Sequence, residues 1–134
     1  MKVLLLLKPL ITKVKEIAEK LGLIADYVVE QGTSGIWTYR KWNSGIAECW
    51  GYWFATNASG SRRALEVHLP FAFSSTEYNV GVSLGHNGGT VSGVFGDFDT
   101  TANRQHTTTR FIFSWVGSET YNVGFYFDVK GRWK

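Results

Sequence analysis

The chain of 134 residues is almost without cysteine and proline, with one Cys and two Pro. A single cysteine, Cys49, excludes an internal disulfide framework and a four-cysteine zinc site. Cys49 alternates with Ala47, Gly51 and Trp53, which reads as a small core residue and not as a nucleophile. No run of about eighteen apolar residues is present, so no segment is expected to span or insert into a membrane. Met1 to Leu7 begins like a signal peptide, but Lys8-Pro9 stops the apolar run and no small-residue cleavage site follows, so no secretion signal is expected. Charge is not gathered by sign either. Residues 1–31 hold five Lys and four acids, and the remainder nine basic and seven acidic residues. Without a basic stripe, a nucleic-acid partner is not expected despite a pI near 9.1.

Catalytic signatures are missing as well. His68, His86 and His106 stand apart, with no His-x-x-x-His or Cys-x-x-Cys spacing, no Gly-x-Ser-x-Gly elbow and no Walker loop. Gly85-His86-Asn87-Gly88-Gly89 lacks a following Lys and helix and reads as a turn. Asp97 and Asp99 are two apart, a spacing compatible with paired carboxylates for glycoside hydrolysis, but at a strand end they read as solvated or cation-binding. The expectation is a protein that is not an enzyme and has no metal or cofactor.

What is there begins with a heptad seam. Val3, Leu7, Leu10, Val14, Ile17, Leu21, Ile24 and Val28 follow steps of four and three without a break. Lys15, Glu16, Glu19, Lys20 and Asp26 fill the other side, with Lys15–Glu19 and Glu16–Lys20 four apart. Pro9 suits a first helical turn, which puts the helix start near it. Ile at d beside Leu or Val at a, with Ile11, Ala18 and Ala25 at e, favours three or four strands over two. Leu7, Leu10, Val14, Ile17, Leu21, Ile24 and Val28 are therefore the expected oligomerisation residues of a homotrimer. The alternative is an amphipathic helix lying on its own domain.

All six Trp and all nine Phe, and fourteen of fifteen Gly, occur from Gly32 onward. Residues 1–31 are read as a coiled-coil stalk, Gly32-Thr33-Ser34-Gly35 as a linker, and 32–134 as the head. There the period becomes two. Strands are expected at Ile36–Trp42, Ile46–Ala55, Leu65–Phe73, Val80–Leu84, Val91–Phe98 (bulged at Gly93), Thr107–Val116 and Tyr121–Val129. Pro70 marks an edge or bend. With 44% hydrophobic and 16% aromatic residues a real core is available, and Phe71, Phe73, Phe111, Phe113, Phe125 and Phe127 are placed in it. Trp50, Tyr52, Phe54 and Tyr126 fall on the opposite faces, to be covered by subunits or by a ligand. The fold class is mainly β: an N-terminal coiled-coil helix, then an antiparallel β-sandwich of jelly-roll or similar type, trimeric.

The run from Asp26 to Gly32, followed by Gly35-Ile36-Trp37-Thr38-Tyr39-Arg40-Lys41-Trp42-Asn43-Ser44-Gly45-Ile46-Ala47-Glu48-Cys49-Trp50-Gly51, resembles the C-terminal domain of tail-fibre and minor structural proteins of phages and prophages of Gram-positive gut bacteria. Gly131-Arg132-Trp133-Lys134 after a strand resembles how those proteins end. Leu65 to Leu84 is similar, more distantly, to the H-type lectin sandwich. The resemblance covers about residues 26–134 and implies a trimeric, virion-borne head that attaches to a host surface, often to carbohydrate. It carries over no binding residue.

If such a head has a receptor site, alternating strand directions place it at the end away from the stalk, with Asn43, Asp99, Asn103, Arg104 and His106 as candidate ligand contacts on loops. The expected function is attachment to a host-surface glycan. The alternatives are a structural trimerisation tip with no ligand of its own and, less favoured, a glycan depolymerase.

Overall fold

The computed structural model describes residues 2–22, 25–58, 63–87, 106–115 and 121–134. Among these residues one helix, α1 (Lys2–Lys20), precedes seven strands: β1 (Val28–Ser34), β2 (Trp37–Trp42), β3 (Ile46–Ala58), β4 (Arg63–His68), β5 (Asn79–Asn87), β6 (Arg110–Trp115) and β7 (Tyr121–Arg132). All strand pairings are antiparallel. Five strands form one sheet in the order β1-β2-β3-β7-β5, and β4 and β6 form a second.

The two sheets face each other across an aromatic core. Phe125 and Phe127 of β7 meet Phe113 of β6 at ring-centroid distances of 4.7 and 5.4 Å. Trp53 of β3 meets Trp115 of β6 at 5.3 Å. The core placement of the phenylalanines is correct: Phe73, Phe111, Phe113, Phe125 and Phe127 are all buried, and Phe71 is half-buried against Tyr39 and Phe73, although Phe71 and Phe73 lie beyond the end of β4. Cys49 is buried as a core residue, and burial pushes its thiol pKa up to about 12.

Several expectations are corrected. The helix starts at Lys2 and runs through Pro9, although proline supplies no N–H to the preceding turn. It stops near Lys20 because Gly22 takes a φ of 66°, with its N–H donating to the Glu19 carbonyl at 3.0 Å, a glycine C-cap. Val28, placed in the helical seam by its spacing, instead opens β1 and pairs with Trp42. The supposed linker Gly32-Thr33-Ser34 is strand, Gly32 opposite Tyr39 and Thr33 opposite Thr38. Only Gly35, at φ 58°, turns the chain into β2. The strand read at Leu65–Phe73 is β4 and ends at His68; Pro70 lies in a bend. Ile24, the strand read at Val91–Phe98 and its bulge at Gly93 lie outside the described residues.

The extra strand reverses the polarity of the head. Asp26 and Tyr27 meet the β2–β3 turn: Asn43 N–H donates to the Tyr27 carbonyl at 2.9 Å, and Ser44 N–H to Asp26 Oδ1 at 2.9 Å. The C-terminal residues come to the same place, with Trp133 N–H on the Gly45 carbonyl at 2.9 Å. The helix therefore joins the head at the end carrying Asn43, Ser74, His106 and Trp133. The strand ends at Ala58, Arg63, Asn87, Trp115 and Tyr121 lie at the other end.

Candidate binding groove

Of the predicted ligand residues, Asn43 and His106 share one end of the head, but that end is the helix root. Asn43 occupies the β2–β3 turn. His106 stacks on Tyr78 at 4.2 Å, and its Nε2 lies 2.8 Å from the Thr76 carbonyl. Tyr78 is itself buried and turns its hydroxyl toward the carbonyls of Thr107 and Arg110, at 2.7 and 2.8 Å. His106 thus ties a loop down at the helix root. Asp99, Asn103 and Arg104, together with the carboxylate pair Asp97 and Asp99, lie outside the described residues.

The outer face of the five-stranded sheet carries a different constellation. On β3, inward Ala47, Cys49 and Trp53 alternate with outward Glu48, Trp50, Tyr52 and Phe54. On β7, inward Phe125 and Phe127 alternate with outward Tyr126, Asp128 and Lys130. The pairing sets Tyr52 opposite Tyr126 and Trp50 opposite Asp128. These rings fit because the neighbouring strand positions lack side chains. A Cβ at Gly85 would lie 2.6 Å from the Tyr126 ring, and one at Gly124 would run into Tyr52. The tyrosine rings pack side by side at 4.7 Å. They nevertheless stay accessible, Tyr126 at 54% and Tyr52 at 37%.

A groove of about 660 Å³ runs over this face, bounded at one side by Ile36 at the β1–β2 turn and lined by Thr38, Trp50, Tyr52, Ser83, Tyr126 and Asp128. Gly51 sits under that turn, where a Cβ would come within 2.5 Å of the Ile36 carbonyl oxygen. Charged side chains border the groove toward the helix root. The Arg40 guanidinium lies 5.3 Å from the Trp50 ring centroid, and Lys130 faces Glu48 at 4.0 Å. The sequence pattern did place Trp50, Tyr52, Phe54 and Tyr126 outward. Asp128, Thr38 and Ser83 carried no signal, since only the strand order β2-β3-β7-β5 brings them together.

This architecture, an N-terminal helix leading into a two-sheet antiparallel domain, is a mainly-β domain on a helical lead. No family model and no curated protein matches the chain. Among solved structures, it is similar to an N-truncated R1-type pyocin tail fibre, at 13% identity over 87% of this chain and 94% of that one, with a TM-score of 0.58. It is also similar to a C-terminal piece of the R1 pyocin fibre of P. aeruginosa, at 13% identity over 85% of this chain and TM-score 0.52, spanning 30% of that longer chain. At this identity the likeness is one of fold.

Proposed function

We propose that this chain is the head domain of a trimeric tail-fibre-type protein that attaches a virion or related particle to a host cell surface through glycan. It acts by binding and not by catalysis. The observation that carries the reading is the fold, which matches an N-truncated pyocin tail fibre over 87% of this chain and 94% of that truncated one. The resemblance of Asp26 to Gly51 to phage tail proteins of Gram-positive gut bacteria supports it independently; the weaker likeness to the H-type lectin sandwich belongs to the same reading. The helix supports the trimer. Leu10, Val14 and Ile17 are each more than half exposed and Leu21 is 66% exposed, and among the described residues α1 packs broadly on no strand. An apolar seam of this length left open in one chain is suited to association with copies of itself.

The test is sedimentation equilibrium followed by a glycan array on the purified chain. The expected result is a species of three times 15.1 kDa that binds a restricted set of glycans. A trimer with a blank array on repeated trials leaves only the structural trimerisation tip. A monomer at micromolar concentration overturns the trimer.

A further inference from the structure

We infer that the groove between Trp50, Tyr126 and Asp128 is the saccharide site, and that it takes a neutral pyranose. This rests on the receptor-binding reading and gives it a location and a ligand class. Three observations lead there. First, the groove joins ring faces to polar groups in the way a sugar needs. A pyranose offers a C–H face to an aromatic ring and hydroxyls to acceptors and donors at its edge. Tyr52 and Tyr126 have one side held against glycine backbone and keep the other accessible, and the Thr38 and Ser83 side chains stand beside them.

Second, the exposed Asp128 carboxylate has no hydrogen-bond or ion-pair partner among the described residues. It accepts from two adjacent hydroxyls in the arrangement a sugar diol presents. The same carboxylate argues against two other occupants. A second copy of this chain laid over the groove would have to bring one of its own cations, such as Arg40 or Lys130, onto Asp128 to avoid burying an unpaired charge. An acidic sugar would bring like charge against it.

Third, the floor is open where it needs to be. Gly81 lies opposite Asp128, and a Cβ there would meet nothing closer than the Asp128 carbonyl oxygen at 3.6 Å. The strand therefore has room for a side chain at this position, and the space above it belongs to the groove. A volume of about 660 Å³ falls in the usual range for small-ligand sites.

Gly81→Val fills the floor with its Cβ at no more than ordinary contact with the sheet, which makes it the main test. The probes are the methyl glycosides of glucose, galactose, mannose and N-acetylglucosamine, with methyl glucuronide as the acidic comparison. They are read by saturation-transfer NMR on the full chain. Expected is transfer to the ring C–H protons of at least one neutral glycoside, lost in Gly81→Val and in Tyr126→Ala. In Asp128→Asn the affinity falls tenfold or more. Melting temperature and sedimentation mass stay unchanged in Gly81→Val. Transfer that survives in Gly81→Val, transfer to the glucuronide alone, or no transfer to any neutral glycoside overturns the site. A changed assembly mass in Gly81→Val, meaning a different number of copies, also overturns it and makes the groove a contact between copies. Array binding by the parent chain that persists in Gly81→Val removes the groove and leaves the attachment reading intact, whereas a blank array for the parent removes that reading itself.

Discussion

Phe125 has no exposed surface, and its ring is held by Phe113 at 4.7 Å and Trp115 at 5.3 Å. Truncating it leaves a cavity between two sheets that share these rings and cannot close over it. Phe125→Ala is expected to cost about 3–5 kcal/mol, measured by urea denaturation. An unchanged midpoint would mean that β7 does not face the second sheet. Tyr78 is a different kind of core residue. Desolvation raises its phenol pKa, and its hydroxyl serves carbonyls on either side of the Thr107–Arg110 bridge. The imidazole stacked on it, His106, is thereby a packing residue at this site. Trp37 does similar work between the sheets, donating its indole N–H to the His68 carbonyl at 2.7 Å.

At the scale of the element, α1 and the β1–β2 hairpin account for most of what differs from a simple reading of the chain. Leu7, Leu10, Val14 and Ile17 of α1 form an open seam with Leu21 just past its end, while Thr12 donates its hydroxyl to the Lys8 carbonyl at 3.1 Å. Ile17 lies in the middle of that seam. Ile17→Asp is expected to shift the trimer to monomer at micromolar concentration, because a closed seam would hold an unpaired charge at a cost of several kcal/mol. Sedimentation velocity of the variant checks it; a normal trimer would show that the head alone holds the assembly. The hairpin binds itself as well as β3. Lys41 Nζ meets Glu30 at 2.9 Å, and Tyr39 donates to the same carboxylate at 3.2 Å.

Across the whole molecule, helix root, β2–β3 turn and C-terminal residues converge on one joint. Asp26 is at its centre, accepting from the Ser44 hydroxyl and backbone N–H. Those hydrogen bonds, the Ser44 hydroxyl first, hold the Asp26 carboxyl below its usual pKa, with Lys134 adding to the effect. Lys41 does the same for Glu30, chiefly by hydrogen bonding. Both folded-state values are depressed. Their contribution is therefore present above the ordinary carboxylate range, near pH 4, and is lost as pH falls through the lower folded values. Melting temperature is expected to fall on acidification across that window, and to fall less steeply in Asp26→Asn combined with Glu30→Gln. Identical pH profiles for the two proteins would show that the joint draws nothing from these carboxylates.

The covalent order of the residues was enough to determine the periods. Alternation at Phe111, Phe113 and Trp115, and at Phe125 and Phe127, marks one face as core whatever the strands pair with, because side chains on a strand point to opposite sides in turn. The helical period of Leu7 to Leu21 is equally local, and so was its stop signal, Gly22, which the continuing spacing through Val28 concealed. A valine at helical spacing is also a good strand residue, and only the pairing of Val28 with Trp42 decides between them. That pairing adds a strand, and one added strand reverses which end of the head the helix enters. Asn43 and His106 thus pass from a supposed tip to the root. The groove was beyond local reach for the same reason. Thr38, Ser83 and Asp128 come from three strands far apart in the chain, and only the pairing order β2-β3-β7-β5 sets them around the same aromatic face.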